Sequence, residues 1–146
     1  MRYFYFAYGS NLNHAQMKRR CESSRYQKKT YLKNYKLSFC WNGSPVKLEG
    51  KANVVKKIGA KIPGGLWEIS FKDEKMLDKC EGYPKVYTKK YFKLNKKKVL
   101  FYILNRKCEP KRPKREYVNT MLQGYKDCNL DIKYLKRRLI HYSITL

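Results

Sequence analysis

Residues 3–12, with the sequence YFYFAYGSNL, place an aromatic strand directly before a short polar loop. Aromatic side chains favour strands, so a strand is predicted over residues 2–7, and the turn-forming residues 8–11 end it. A glycine at a strand end lets the backbone approach a ligand closely, and successive N–H groups in such a loop can hold a carboxylate. Most strand–Gly–Ser–Asn segments are ordinary turns, so a binding role and a structural role both stay open.

A second informative stretch is residues 77–84, with the sequence LDKCEGYP. Its Glu81 is predicted to lie at the end of a helix, because Gly82 follows directly and glycine commonly ends helices. The negative end of the helix dipole disfavours a carboxylate and raises its pKa, which suits an acid/base catalyst. A glutamate in a last helical turn is more often simply solvated, so this stretch also has a structural alternative.

Helix signals occur on both sides of these stretches. Asn13 is a plausible N-cap, with Gln16 three residues later, for a short helix that buries Met17. Asp73 is expected to cap the helix that contains residues 74–80. The residues expected to face inward on that helix are Met76, Leu77 and Cys80. Two further helices are predicted near the end, one with the apolar stripe Tyr117, Met121 and Leu122 and one over residues 132–140.

Alternating and apolar runs predict the strands. A break is expected at residues 63–65, before the strand that precedes the Glu81 helix, and residues 95–96 are expected to join a hairpin. The predicted strands cover residues 35–41, 52–55, 66–70, 86–94 and 99–104. Together these elements predict one α+β domain over residues 1–146, a small mixed β-barrel with peripheral short helices. The barrel core would span about residues 1–107, and the C-terminal helices about residues 113–141.

The composition is that of a folded domain. Hydrophobic residues make up 42% of the 146 residues and aromatic residues 15%, which is too much for a disordered polyelectrolyte. Neither a secretory signal nor a membrane-spanning stretch is recognisable. We therefore expect a cytoplasmic protein.

Cysteine and histidine limit the chemistry. The five cysteines are an odd number without a CxxC pair, so we expect free thiols rather than a disulfide framework or a zinc site. The two histidines provide too little material for a histidine-dependent triad or a metal cluster. Any catalysis would therefore depend on carboxylates, hydroxyls and backbone groups, and no cofactor or metal is expected.

The net charge of +24 is the feature that an enzyme explains least well. Such a charge attracts polyanions, which keeps nucleic acid as an alternative partner. The basic residues are spread along the chain, however, and no basic tail, zinc finger or recognition-helix pattern gathers them. Coding bias in an AT-rich genome is the explanation that we favour somewhat over a dedicated nucleic-acid role.

Taken together, the two stretches resemble the gamma-glutamylcyclotransferase family, which shares its fold with the avirulence-induced-gene-like proteins. That family pairs an N-terminal strand and a Y-G-S-N-L loop with a later L-D-x-x-E-G motif, as residues 3–12 and 77–82 do here. Residues 35–39 and 65–67 resemble its intervening strands. The tail resembles its closing helices through Pro113, Tyr117, Gly124, Leu130 and Tyr134, although Lys114 stands where the family often has serine.

The resemblance implies a gamma-glutamylcyclotransferase-like fold and a set of site residues. The acid/base carboxylate would be Glu81, and a site tyrosine would be Tyr87, with Tyr83 as the competing choice. The residues implied to hold the alpha-carboxylate and amine end of a gamma-glutamyl group are Tyr8, Gly9, Ser10, Asn11 and Leu12.

The implied reaction is the cyclisation of a gamma-glutamyl group to 5-oxoproline, with release of the attached amino acid or amine. Gamma-glutamyl amino acids, gamma-glutamyl amines and glutathione are all candidate substrates, and a gamma-glutamyl group on a larger carrier or a polyamine is a further possibility. The alternative from another class is a non-catalytic member of the fold that binds a polyanion such as nucleic acid. Either a monomer or a homodimer is compatible with the sequence.

Overall fold

The computed structural model describes residues 2–146, which form a five-stranded sheet and four α-helices. In chain order the elements are β1 (Arg2–Ala7), α1 (His14–Arg20), β2 (Arg25–Cys40), β3 (Lys51–Ser70), α2 (Phe71–Glu81), β4 (Tyr87–Leu94), β5 (Lys97–Leu104), α3 (Arg115–Asp127) and α4 (Ile132–Ile140). A single 3₁₀ turn, Ser10–Leu12, connects β1 to α1.

The sheet is built around β1, in the order β2-β3-β1-β5-β4. β1 pairs antiparallel with β3, from Arg2 opposite Ser70 to Ala7 opposite Gly65, and parallel with β5 on its other side. The C-terminal half of β1 is fully buried, which explains why its sequence is so aromatic. This central strand delivers the polar loop that follows it into the middle of the fold.

The sheet is open, so the prediction of a β-barrel is wrong. Closure requires the two edge strands to pair, but here β2 and β4 lie at opposite edges of the strand order. The edge of β2 is covered by the C-terminal segment instead of a strand. The backbone N–H groups of Leu37 and Phe39 donate to the hydroxyls of Tyr134 (3.0 Å) and Tyr142 (2.9 Å).

β2 and β3 form one long ribbon of 16 and 20 residues, whereas the sequence predicted a break at residues 63–65. Pro63 is accommodated because the pairing of β1 with β3 ends at Gly65, so no strand needs the proline's missing N–H on that side. On the other side, Pro63 still lies opposite Tyr31 of β2.

Helix α2 begins earlier than predicted, because Ser70 and not Asp73 is its N-cap. Ser70 Oγ accepts from the Asp73 N–H (3.1 Å), and Asp73 Oδ2 accepts from the Ser70 N–H (3.0 Å), which completes a capping box. Only Leu77 of the predicted inward residues is buried; Met76 and Cys80 are exposed because α2 lies on the surface and contacts the core along a narrow stripe. Gly82 ends the helix with φ +64°, as the sequence indicated.

Other local predictions are confirmed. The Asn13 side chain accepts from the Gln16 N–H (2.9 Å) and caps α1, whose Met17 is fully buried. Positive φ angles at Asn95 and Lys96 make the tight hairpin between β4 and β5. Among residues 2–146, none of the helices is long and apolar enough to cross a membrane.

Cys40 and Cys108 form a disulfide, which contradicts the prediction that all five thiols are free. Their Cα atoms lie 5.2 Å apart although 68 positions separate them in the sequence, so the spacing of the cysteines gave no sign of the pair. The bond joins the end of β2 to the segment after β5. Cys21 and Cys128 are free and buried, and Cys80 is free and exposed.

The disulfide predicts how many thiols will react. Protein that has been denatured without reductant should titrate three thiols of five, and Cys80→Ser should titrate two. Reduction should lower the free energy of unfolding by about 2–4 kcal/mol, because the cross-link restricts the unfolded chain. A thiol titration and a denaturant titration measure both quantities. Five reactive thiols in unreduced wild type would rule the bond out.

Candidate active site

A cavity of about 400 Å³ lies where the loop after β1 meets the end of α2 and the first residues of β3. Its size is in the range of small-molecule sites. The sequence-predicted residues that line it are Tyr8, Gly9, Ser10, Asn11, Glu81 and Tyr87. Of the predicted set, Leu12 lies elsewhere: it is fully buried, against Gly124 of α3.

Gly9 is required for the close approach of this loop to β3. A Cβ atom built on Gly9 would lie 3.0 Å from Cβ of Ala52 and 3.4 Å from the Tyr117 hydroxyl, so a side chain would push the loop outward. The N–H of Leu12 donates to the Gly9 carbonyl (3.1 Å) and tightens the turn. The first N–H groups of such a turn have no partner within the helix and are available to other acceptors.

Asn11 is a buried hydrogen-bonding centre behind the loop. Its Nδ2 donates to the hydroxyl of Tyr5 (3.0 Å), and its Oδ1 accepts from Nε2 of Gln16 and Nη1 of Arg20 (both 3.0 Å). Gln16 Nε2 also donates to Ser10 Oγ (2.8 Å). These bonds fix the loop side chains and hold the Arg20 guanidinium at the cavity wall.

Glu81 is the last residue of α2 and the only carboxylate among the cavity-lining residues. Burial raises the pKa of its carboxyl group to about 7, and the positive charges of Arg20 and Lys51 partly oppose that increase. The pKa is raised, as predicted from the position of Glu81 at a helix end, but burial and not the helix dipole is the dominant cause. The group can therefore both accept and donate a proton near neutral pH.

Side chains from two other strands hold the end of α2 in place. The Tyr102 hydroxyl on β5 donates to Asp78 Oδ1 (2.6 Å). Nζ of Lys89 on β4 lies 2.9 Å from Asp78 Oδ1 and 2.6 Å from Glu74 Oε2. The last turn of α2, and with it Glu81, is thus bound to the sheet by charge-assisted hydrogen bonds.

Buried tyrosines provide the neutral polar wall of the cavity. The Tyr8 hydroxyl donates to the Tyr102 carbonyl (2.7 Å), and the Tyr87 hydroxyl donates to the Ala52 carbonyl (2.9 Å). Burial raises the pKa of both phenols well above the usual value, so they stay protonated. Tyr83, the competing choice for a site tyrosine, is exposed and does not line the cavity.

Sequence reasoning missed the cations and further tyrosines of the site. The missed lining residues include Tyr5, Arg20, Lys47, Lys51, Lys79, Tyr102 and Tyr117. Lys51 is half-buried, with Nζ 4.5 Å from the centre of the Tyr117 ring, and burial lowers its pKa. In a chain with 35 basic residues no local signal separates these four cations from the others.

Comparison with known proteins assigns the chain to a family. A family model described as gamma-glutamyl cyclotransferase, AIG2-like, matches residues 5–121. Comparison with curated protein sequences finds no match.

Several solved structures share the fold. The human protein loc79017, described as uncharacterized, has 23% identity and a TM-score of 0.80, covering 94% of this chain and 86% of its own. A structure described as gamma-glutamyl cyclotransferase has 22% identity, a TM-score of 0.80 and the same coverage. YkqA from Bacillus subtilis has 20% identity and a TM-score of 0.79, covering 95% of this chain but 54% of its own.

The polar loop after β1 and the glutamate at the end of α2 both lie within the matched residues, as the sequence resemblance implied. The chain therefore belongs to the gamma-glutamyl cyclotransferase, AIG2-like family.

Proposed function

We propose that the protein is a cyclotransferase that converts a gamma-glutamyl group to 5-oxoproline and releases the attached amine. The observation that carries this proposal is that the carboxyl group of Glu81, with its pKa near 7, lines the same cavity as the loop Tyr8–Asn11. Family membership supports the same reaction class.

The reaction needs no nucleophile from the protein. The alpha-amine of the gamma-glutamyl group attacks its own gamma-carbonyl carbon, which forms the C–N bond of a five-membered lactam. Collapse of the tetrahedral intermediate breaks the original amide C–N bond and releases the amine. Holding the substrate folded is therefore a large part of catalysis, since effective molarities in intramolecular reactions reach about 10⁵ M or more.

Glu81 would move the protons. Its carboxylate accepts one proton from the alpha-ammonium group as the amine attacks, and the resulting acid donates that proton to the departing nitrogen. The second proton that the ring nitrogen loses follows the same route, so the amine leaves as an ammonium group. One carboxyl group can perform both steps because its pKa of about 7 makes both forms accessible at neutral pH. The hydrogen bonds of Asp78 with Tyr102 and Lys89 keep the end of α2 at the cavity while this happens.

The loop would bind the end of the substrate that becomes the ring. Ser10 and Asn11 lie at the cavity wall with their side chains held by Gln16, and Gly9 brings the backbone close. Backbone N–H groups of this turn are suited to the alpha-carboxylate and to the oxyanion of the tetrahedral intermediate. Tyr87 would complete the wall, and Leu12 would support the loop from the core.

Replacing Glu81 tests the proposed catalyst. Glu81→Gln keeps the shape of the side chain but cannot accept the ammonium proton, so the rate of 5-oxoproline release should fall about 10²- to 10⁴-fold. The measurement is product release from gamma-glutamyl amino acids, gamma-glutamyl amines and glutathione. Glu22→Gln, at an exposed position outside the cavity, is the matched control and should retain wild-type rates. Equal rates in both variants would refute the role of Glu81.

The pH profile tests the same residue independently. Glu81 must be ionised to act as the base, so kcat/KM should rise with pH and level off above the carboxyl pKa of about 7. Below that pKa, kcat/KM should fall about tenfold per pH unit, as for any single required ionisation. A rate profile measured with a gamma-glutamyl dipeptide checks this. A midpoint near the ordinary glutamate pKa of 4.5 would contradict a buried catalyst.

A second candidate is a non-catalytic member of the fold that binds a polyanion. The net charge of +24 is the observation that favours it. Nucleic-acid binding that persists unchanged in Glu81→Gln, with no 5-oxoproline released by wild type, would replace the enzymatic proposal with this one.

A further inference from the structure

The charged groups of the cavity are strongly unbalanced. Four cationic side chains line it, from Arg20, Lys47, Lys51 and Lys79, against the single carboxyl group of Glu81. Glu81 is itself needed for the ammonium group of the substrate under the function proposed above. The site therefore has a surplus of positive charge that the gamma-glutamyl group alone does not use.

The cations occupy different depths. Arg20 is half-buried and bonded to Asn11, which places it at the loop that would receive the gamma-glutamyl end. Lys47 and Lys79 are exposed, and they come from the loop between β2 and β3 and from α2, respectively. Lys51 is half-buried beside Tyr117. The exposed lysines thus lie toward solvent, where the departing part of a substrate would extend.

One acidic residue reduces this surplus without cancelling it. Glu49 interacts electrostatically with Lys47, Lys51 and Lys114 and carries a lowered pKa, first through its backbone hydrogen bond, so it stays ionised. It is not among the residues that line the cavity. A single carboxylate shared among three lysines leaves the mouth of the cavity positively charged.

We propose that the preferred substrate is a gamma-glutamyl peptide with an acidic departing residue, in which two carboxylates face Lys47, Lys51 and Lys79. This inference rests on the proposed function and names the substrate class of that site. The alpha-carboxylate of a departing amino acid pairs with one lysine, and an acidic side chain pairs with a second. A departing polyamine or a basic residue meets like charges at the same place.

The expected size of the preference for an acidic departing residue follows from the strength of exposed ion pairs. Each such pair changes an equilibrium about 1.5- to 5-fold near physiological salt. An acidic departing residue adds one such pair, so it should exceed its neutral isostere in kcat/KM by about 1.5- to 5-fold, and a basic one should fall below the neutral compound by a similar factor. Because the groups are exposed, high salt should reduce these ratios.

The experiment compares three dipeptides: gamma-glutamyl-glutamate, gamma-glutamyl-glutamine and gamma-glutamyl-lysine. In all three, the gamma-glutamyl group is attached to the alpha-amino group of the departing residue, so only the side chain of that residue differs. We expect kcat/KM to decrease in that order, with the differences shrinking as salt is raised from about 20 mM to about 500 mM. Lys47→Gln and Lys79→Gln should each lower the glutamate-to-glutamine ratio toward one. Lys33→Gln removes one exposed charge from β2, outside the cavity, and should keep the wild-type ratio.

The possible outcomes separate this inference from the proposed function. Release of 5-oxoproline from all three dipeptides at equal rates, or fastest from the lysine compound, would overturn the acidic preference and leave the cyclotransferase reaction standing. If neither these dipeptides nor any other gamma-glutamyl compound released 5-oxoproline, both the acidic preference and the cyclotransferase reaction would be overturned. A ratio that falls equally in Lys33→Gln would assign the preference to overall charge and would also overturn the role of the cavity lysines.

Discussion

The desolvation of the Glu81 carboxyl group, on a residue that is half-buried at the cavity wall, is the constraint on which the rest of the site depends. Burying a carboxylate is costly, and here the cost appears as a pKa raised from 4.5 to about 7. Since the folded state holds the proton more tightly than the unfolded state, Glu81 lowers stability progressively as pH rises through this window. The capping box of Ser70 and Asp73 and the bonds of Asp78 hold the helix that ends at Glu81.

The same constraint explains the chemistry of the surrounding residues. Tyr8 and Tyr87 are buried and stay protonated, so they line the cavity of Glu81 without adding charge. Arg20 and Lys51 lower the pKa of Glu81, but their effect is smaller than that of burial. Had these cations been bound directly to the carboxylate, its pKa would fall below the neutral range and the group would be a poor acid.

The parts of the fold and site that the sequence predicted are those set by local geometry. Helix α2 ends at Gly82 because glycine readily adopts a positive φ. The hairpin forms at Asn95 because asparagine also tolerates a positive φ. The open sheet could not be predicted from local sequence, because the edge of β2 is bound by tyrosines about 100 positions further along the chain. The Cys40–Cys108 bond was missed for the same reason: tertiary contacts decide it.

The cations of the cavity show most clearly where sequence reasoning ends. Lys51 and Lys33 are the same residue type on adjacent strands, yet one lies beside Tyr117 in the cavity and the other is exposed outside it. The cations that line the cavity differ in how far they are exposed to solvent. The charges that lower the pKa of Glu81 are those of Arg20 and Lys51, and the exposed Lys47 and Lys79 are not among them. Under the proposed function, these two exposed lysines could therefore attract an acidic substrate without making Glu81 a weaker base at neutral pH.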